Sequence, residues 1–395
     1  MNPRILFVQP DVGPPGGAAG VAAWMLDHLA ARYQVTLLTG RPFDPAVNDQ
    51  HYGTSLTGRS LETVLIDGFL LRLLERFPNF ASLLKIHLVM RAGRRLARER
   101  NFDLICSAFN EVDFGQPCVE YIHYPWNLYP RPGAPQGGVK SSLLGPVAKL
   151  YNWGCCRLSG FRSVSRPANL TLVNSAWTGA KFRQRYPVAD FHVLHPPALS
   201  RALDDDRSRR RADFLSIGRL CPSKEWFKLI DIVSALRQRG HDVGLTLAGS
   251  HDNVEFEKAL RQRIADAGDW LRLVKDFSHR ELEELMLTHD YGLHGMRDEH
   301  YGMAVAELLL GGCLTMVPDD GGQIEIVTDP RMQYSSVASA VGKWDKVLRD
   351  PALKSELLAG QQARRATLTR ERFLQEFGDL VQSRLKAPLS VVPTA

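Results

Sequence analysis

"RILFVQPDVGPPGGAAGVAAWMLDHLAARYQVTLLT", residues 4 to 39, carries the signature of the fold class. Two apolar runs of strand length, 4–10 and 34–39, flank a glycine-rich turn and a segment long enough for a helix. That order lays two strands parallel in one sheet with a helix across its face. The alternation continues outward: strand-length runs follow at 62–66, 103–109, 119–124, 170–175 and 191–196. A second series starts at 214–219 and goes on at 244–249, 271–276, 291–296 and 314–319, with helix-length segments such as 224–239 and 254–267 between. The expectation is an α/β protein with two doubly wound parallel sheets. Ligands in such folds collect where loops leave the carboxyl ends of the strands, so the site is expected in a cleft where the two domains face each other.

The chain has 395 residues, 44% of them hydrophobic, which suffices for two ordinary cores. The stretch "ALSRALDDDRSRRRAD" (198–213) is charged throughout and lacks apolar periodicity. It reads as a linker over 199–213, between an N-terminal domain (1–198) and a C-terminal domain (214–360). A C-terminal helix (361–386) and a loose tail (387–395) complete the expected order.

Charge is uneven. Residues 1–200 hold 21 Lys and Arg against 13 Asp and Glu, leaving 28 against 30 for the remainder. The basic surplus suits an anionic partner such as phospholipid head groups, a lipid diphosphate or nucleic acid, although such a surplus also simply aids solubility. The apolar segment 69–90 runs into "RAGRRLARER" (91–100), which would either lie on an anionic bilayer or pack on the sheet with its arginines solvated. Six cysteines without a C-x-x-C pair or zinc-type His spacing fit a reducing cytosol and give no metal site. The N-terminus reads as a first strand and not as a signal peptide or membrane span.

The chemistry is concentrated in "DEHYGMAVAEL" (298–308), where Glu299 and Glu307 are separated by seven residues without a positive charge. This segment follows the strand "YGLHGM", and "MAVAELLLGG" (303–312) has the composition of a short helix closed by glycines. The first backbone N–H groups of such a helix, at Gly302, Met303 and Ala304, would form a cradle for phosphate. Glu307, one turn in, would accept ribose hydroxyls, and Glu299 would face the cleft. Carboxylates on either side of a phosphate cradle suit sugars flanking a diphosphate, which describes a nucleotide sugar. The diphosphate's charge would be met from "SIGRLCPSKEW" (216–226) by Arg219 and Lys224. Cations fixed there favour a departing diphosphate in the transition state and could replace a metal.

The E-x7-E spacing, "GRLCPSKE", "DDGGQIEIV" (319–327) and "GPPGGAAGVAAWMLDHLAARYQVTLLT" (13–39), in that arrangement, resemble the retaining glycosyltransferases of family 4, with two Rossmann-like domains in the GT-B architecture. "YIHYPW", "LVNSAWT", "VLHPPA" and "GLHGMRDEHYGMAVAE" resemble in particular the eukaryotic α-1,2-mannosyltransferases of lipid-linked oligosaccharide assembly. The chain departs from them in lacking an N-terminal membrane anchor and in reading "GGCLTMVPDD" where the family usually has a proline after the glycine.

The resemblance implies that Arg219 and Lys224 hold the diphosphate, Glu307 the ribose and Glu299 the donor sugar. Gly16 and Gly17 would let the first domain's backbone approach the diphosphate or acceptor, and His123 would border the transferred sugar. Asp319, Asp320, Gly321, Gly322 and Glu325 would form a second turn, with Gly322 admitting the donor closely. It further implies hexose transfer with retention from a nucleotide diphosphate sugar, GDP-mannose favoured, to a glycan or lipid-linked glycan. No cofactor and no metal are expected, and the place of action would be the cytoplasm or the inner face of a membrane. A soluble small-molecule acceptor, a sugar-modified nucleic acid (though no nucleic-acid motif supports it), nucleotide-sugar epimerisation and noncatalytic nucleotide-sugar binding are the alternatives.

Overall fold

The computed structural model describes residues 2–66, 78–125, 139–162, 168–187, 190–200, 208, 210–250 and 254–386. The first unit holds strands β1 (Arg4–Gln9), β2 (Gln34–Thr39), β3 (Leu61–Leu65), β4 (Leu104–Ser107), β5 (Val119–Ile122), β6 (Leu170–Val173) and β7 (His192–Val193). Its described helices are α1 (Gly17–Ala30), α2 (Pro45–Tyr52), α3 (Pro78–Glu99), α4 (Val139–Ser159) and α5 (Ala176–Arg185). All seven strands are parallel, in the order β3-β2-β1-β4-β5-β6-β7.

The second unit repeats the plan with β8 (Arg211–Arg219), β9 (Leu245–Ser250), β10 (Leu271–Lys275), β11 (His289–Leu293), β12 (Leu314–Pro318) and β13 (Gln333–Tyr334). Its helices are α6 (Trp226–Gln238), α7 (Val254–Ala265), α8 (His279–Thr288), α9 (Met303–Leu310), α10 (Val337–Arg349) and α11 (Pro351–Arg364), and α12 (Arg370–Lys386) follows. The parallel order is β10-β9-β8-β11-β12-β13. In each unit the connection reverses direction beside the first strand, between β1 and β4 and between β8 and β11. Those two switch points are where a doubly wound sheet opens a crevice at its carboxyl edge.

Local chemistry explains many of the boundaries. Asp44 accepts the Ala46 N–H at the start of α2, with Pro45 in the first turn. Ser278 and Glu281 reciprocate as a capping box on α8. Strands inside the sheets, such as β1 and β12, are almost wholly buried because helices cover both faces of a parallel sheet, whereas the edge strands β3 and β10 are partly exposed.

The expected boundaries need correction in three places. β8 begins at Arg211, inside the expected linker, and Ala198 is buried in the second unit's core; residues 201–207 and 209 lie outside the described residues, as does the tail 387–395. The terminal helix starts at Arg370, not 361. From Phe373 on the chain groups with the first unit, whereas Pro196–Arg372 belongs to the second. Phe373 meets Tyr121 edge to face at 6.1 Å and Phe377 meets His28 at 6.0 Å, which anchors α12 to the first sheet's helices and strands.

Helix α3 also overturns part of the bilayer expectation; residues 69–77 lie outside the described residues. Arg94 is not a solvated arginine: its side chain is 17% exposed, pairs with the buried Asp113 at 3.1 Å and donates to the Gly160 carbonyl at 2.8 Å. Arg95, 79% exposed, pairs with Glu99 one turn further on. Arg94→Ala is therefore expected to destabilise the protein by about 3 kcal/mol in urea denaturation, because it takes from the buried Asp113 carboxylate the counter-charge that Arg94 supplies. Arg95→Ala should leave the urea midpoint where it is, since water screens an exposed pair and replaces it readily.

Candidate active site

The second unit's switch point is built from three turns. After β8 the chain passes Arg219, makes a short 3-10 turn over Pro222–Lys224 and enters α6 at Glu225, whose backbone is left-handed (φ 56°). After β11 it runs through His294, Gly295 and Glu299 to Gly302, the residue capping α9. After β12 the turn 319–322 leads into a 3-10 helix, Gly322–Glu325.

These turns are wedged together by missing side chains. A Cβ at Gly295 would stand 2.7 Å from the Lys224 carbonyl, so only glycine lets the β11 exit lie against the Lys224 turn. A Cβ at Gly321, where φ is 84°, would meet both the N and the O of Glu299 at 2.7 Å. Gly322 N–H donates to that same Glu299 carbonyl at 2.7 Å. The buried Gln323 amide adds donations to the Met296 and Asp320 carbonyls at 2.9 and 2.8 Å. Gly321→Ala should therefore displace Glu299 and lower stability by about 2 kcal/mol, read as a fall in melting temperature, since no rotamer can relieve a backbone clash.

The result is a compact charge cluster. Lys224 Nζ lies 2.5 Å from Glu299 Oε2, and His294 Nε2 lies 3.3 Å from the same oxygen. Burial opposes ionisation of Glu299, but the Lys224 charge, with His294 beside it, outweighs burial and holds the carboxyl well below its ordinary range. His294 is pushed down by its own burial and by Lys224, which keeps the imidazole neutral at physiological pH against the pull of Glu299. The Tyr334 hydroxyl donates to the His294 carbonyl at 2.6 Å and fixes the strand end that carries it.

Of the residues expected from sequence, Lys224 and Glu299 come together directly, and Gly302, Met303 and Ala304 form the first turn of α9 as anticipated. N–H groups in that turn have no acceptor within the helix. Arg219 ends β8 exposed, its carbonyl accepting from the Trp226 indole at 2.9 Å. Asp319 and Asp320 face Arg297, at 3.0 and 4.0 Å. Glu325 lends its carbonyl to Arg364 at 2.9 Å.

Glu307 lies one turn into α9 and is only 4% exposed. Burial raises its carboxyl to about 7, and the Leu199 backbone N–H, which lowers it, does not offset that. Gly321, beside Gly322, lies close against protein backbone at Glu299. In the first unit, Gly16 caps α1 with φ 133° and open space where a Cβ would stand, and Gly17 begins the helix. His123 follows β5; its Nε2 is 3.2 Å from the Ala108 carbonyl, and the Asn110 side chain accepts its backbone N–H at 2.8 Å.

His294 carries no signal in the sequence. It stands inside the quoted "YGLHGM", where a histidine ending an apolar run looks like any other strand end. Its partner Glu299 is five positions on, and only the returning loop brings them together. Arg297 likewise gains meaning only from the 319–320 turn.

A doubly wound unit with a charged cluster at its switch point belongs to the class of α/β proteins that hold ligands at that crevice. Residues 205–365 match the family Glycosyl transferases group 1. The Caenorhabditis elegans GDP-Man:Man(3)GlcNAc(2)-PP-Dol alpha-1,2-mannosyltransferase is 22% identical over 245 residues, 54% of this chain and 51% of that one. The Homo sapiens alpha-1,3/1,6-mannosyltransferase ALG2 is 25% identical over 242 residues, covering 53% and 57%. The chain thus spans about half the length of the curated relatives it matches. Among solved structures, Anabaena Alr3699/HepE in complex with UDP and glucose superposes with a TM-score of 0.65 and 16% identity, over 96% of this chain and 100% of the other. The two-unit α/β fold is that of the GT-B glycosyltransferases, and the likeness to the group 1 glycosyl transferases covers residues 205–365, less than half of the chain.

Proposed function

We propose that the protein is a retaining glycosyltransferase that moves a hexose, mannose favoured, from a nucleotide diphosphate sugar to a hydroxyl of a glycan or lipid-linked glycan. The observation that carries this reading is the Lys224–Glu299 pair set three residues before the open helix start at Gly302. A cation, a carboxylate and bare backbone amides then converge at one switch point, matching the diphosphate and sugar of one donor. GDP-mannose is the favoured donor by likeness to the Caenorhabditis elegans mannosyltransferase, whose name carries it; HepE was solved with UDP and glucose, so a uridine donor belongs in the same screen.

In this reading Lys224 need not release Glu299 to serve the donor. An ammonium has three protons, so one can stay on Oε2 while another meets a phosphate oxygen. Both cluster contacts on Glu299 are to Oε2, which leaves Oε1 for a sugar hydroxyl. Arg219 adds a second cation, and together they would stand in for a metal with no separate cofactor. As the C1–O bond to the diphosphate breaks, the growing charge on the leaving group is met by Lys224, Arg219 and the α9 amides. The acceptor oxygen bonds C1 on the face the diphosphate leaves, and its proton passes to a donor phosphate oxygen. Glu307 would serve the ribose.

Purified protein incubated with GDP- and UDP-sugars and a glycan or polyprenyl-diphosphate glycan acceptor is expected to release nucleoside diphosphate and yield a glycosylated product by mass spectrometry. Epimerised donor without acceptor, or tight donor binding with no release under any condition, would overturn the proposal.

A further inference from the structure

Large apolar side chains stand out in solvent at Val147, Leu150 and Trp153, which are 59%, 66% and 59% exposed. All three are on α4, three residues apart. At 100° per residue, these three together with the exposed Lys149, Gly154 and Arg157 fall within about 160° of the helix circumference. The opposite face is buried: Cys155 and Ser159 point inward, Cys156 packs on the first unit's core, and Ser159 Oγ is 2.7 Å from His87 Nδ1 of α3. Over its described residues from Val147 to Ser159, one side of α4 is therefore used by the fold and the other presents an apolar strip to water. Other large exposed hydrophobics, such as Val47 and Val254, stand singly and need no explanation.

Charge says what would cover the strip. From residue 121 to residue 189 there is no Asp or Glu at all, against nine Lys and Arg. Arg157 lies over the Trp153 ring at 5.3 Å, and the charge of Arg185 at the end of α5 reaches Cys156 on α4. An apolar strip with an indole at its edge, basic side chains around it and no acid in its stretch of chain is the make-up of a helix that lies in a lipid interface. A second copy of this chain would bring the same cationic face against itself, which costs association energy. A nucleic acid would answer the charge but leave the aliphatic groups uncovered.

We propose that the exposed face of α4 docks the protein on an anionic lipid surface, with Val147, Leu150 and Trp153 entering the head-group boundary and Lys149 and Arg157 meeting lipid phosphates. No described helix is long and apolar enough to cross a membrane, and the proposal concerns surface attachment alone. It moves the candidate contact away from the arginines of α3, since Arg94 is committed to Asp113 and Gly160.

The test is flotation of the whole protein with vesicles of phosphatidylcholine plus phosphatidylglycerol, against phosphatidylcholine alone, at low and high salt. Binding is expected to the anionic vesicles, to weaken with salt, and to fall about tenfold or more in the pair Leu150→Glu/Trp153→Glu. Lys149→Glu/Arg157→Glu should fall similarly at low salt, while Val254→Glu should float as the wild type does. Since these positions are exposed, circular dichroism and melting temperature should not change. Equal flotation with neutral vesicles, wild-type flotation by the Leu150/Trp153 variant, a dimer that this variant dissolves, or retention on DNA in place of vesicles would overturn the proposal. No donor sugar enters the assay, so its failure is separate from failure of the transferase reading.

Discussion

Replacing Lys224 by methionine is expected to lower the unfolding free energy by about 3 kcal/mol or more and to cut donor turnover by about a hundredfold or more. The two losses have different origins. Stability falls because the variant leaves the Glu299 carboxylate buried without its counter-charge, 3.3 Å from a neutral His294. Under the proposed transferase reading, turnover falls because the leaving diphosphate would lose the ammonium that meets its growing charge. Urea denaturation of a double-mutant cycle separates them. Lys224→Met/Glu299→Gln should regain much of the stability, since no charge is then stranded, but none of the turnover. A double variant as unstable as the sum of the singles would show that the pair contributes nothing jointly.

Glu307→Gln should act in the opposite direction on stability, and only at higher pH. The folded-state carboxyl is raised from 4.5 to about 7 by burial. A raised acid binds its proton more tightly in the folded state, so the folded state holds more protons than the unfolded chain between those values. Its favourable contribution is complete below about 4.5 and is lost as pH rises towards 7. Above that the ionised group costs about 3 kcal/mol, since each tenfold change in proton affinity is worth about 1.4 kcal/mol. Glutamine keeps an acceptor for the Leu199 N–H and cannot ionise. The variant should match the wild type near pH 4.5 and exceed it at about pH 8 by a sizeable part of that difference, measured as melting temperature across the range. If Glu307 also binds the donor ribose, the same variant should raise the donor KM. A stabilised variant with unchanged KM would leave Glu307 a burden without a binding role.

Much of the architecture was legible in the sequence because strands buried on both faces read as short, continuous apolar runs. All twelve strands expected from such runs are present within a few residues. β13, Gln333–Tyr334, escaped because two residues carry no periodicity, and β8 begins early because Arg211, Ala212 and Asp213 do not look like strand. The helix opening at Gly302 was readable from glycine placement and composition, and so was the presence of Glu299, Glu307, Arg219 and Lys224 near strand ends. What each carboxylate does in its place was not. Glu299 and Glu307 look alike in "DEHYGMAVAEL", yet one is held strongly acidic and the other is pushed towards neutrality.

Two parallel-sheet units, the succession of strands and helices in each and the turn chemistry at the second unit's switch point follow from local composition and short spacing, so the bare chain already specifies them. Folding in three dimensions was needed for the rest: Lys224 and Glu299, 75 residues apart, share one partly buried contact, His294 joins them, Arg94 serves the core, and one face of α4 is left in water. Those outcomes depend on which distant segments meet and which are kept from solvent. A carboxylate's pKa or an arginine's role follows from that surrounding and not from its neighbours in the chain.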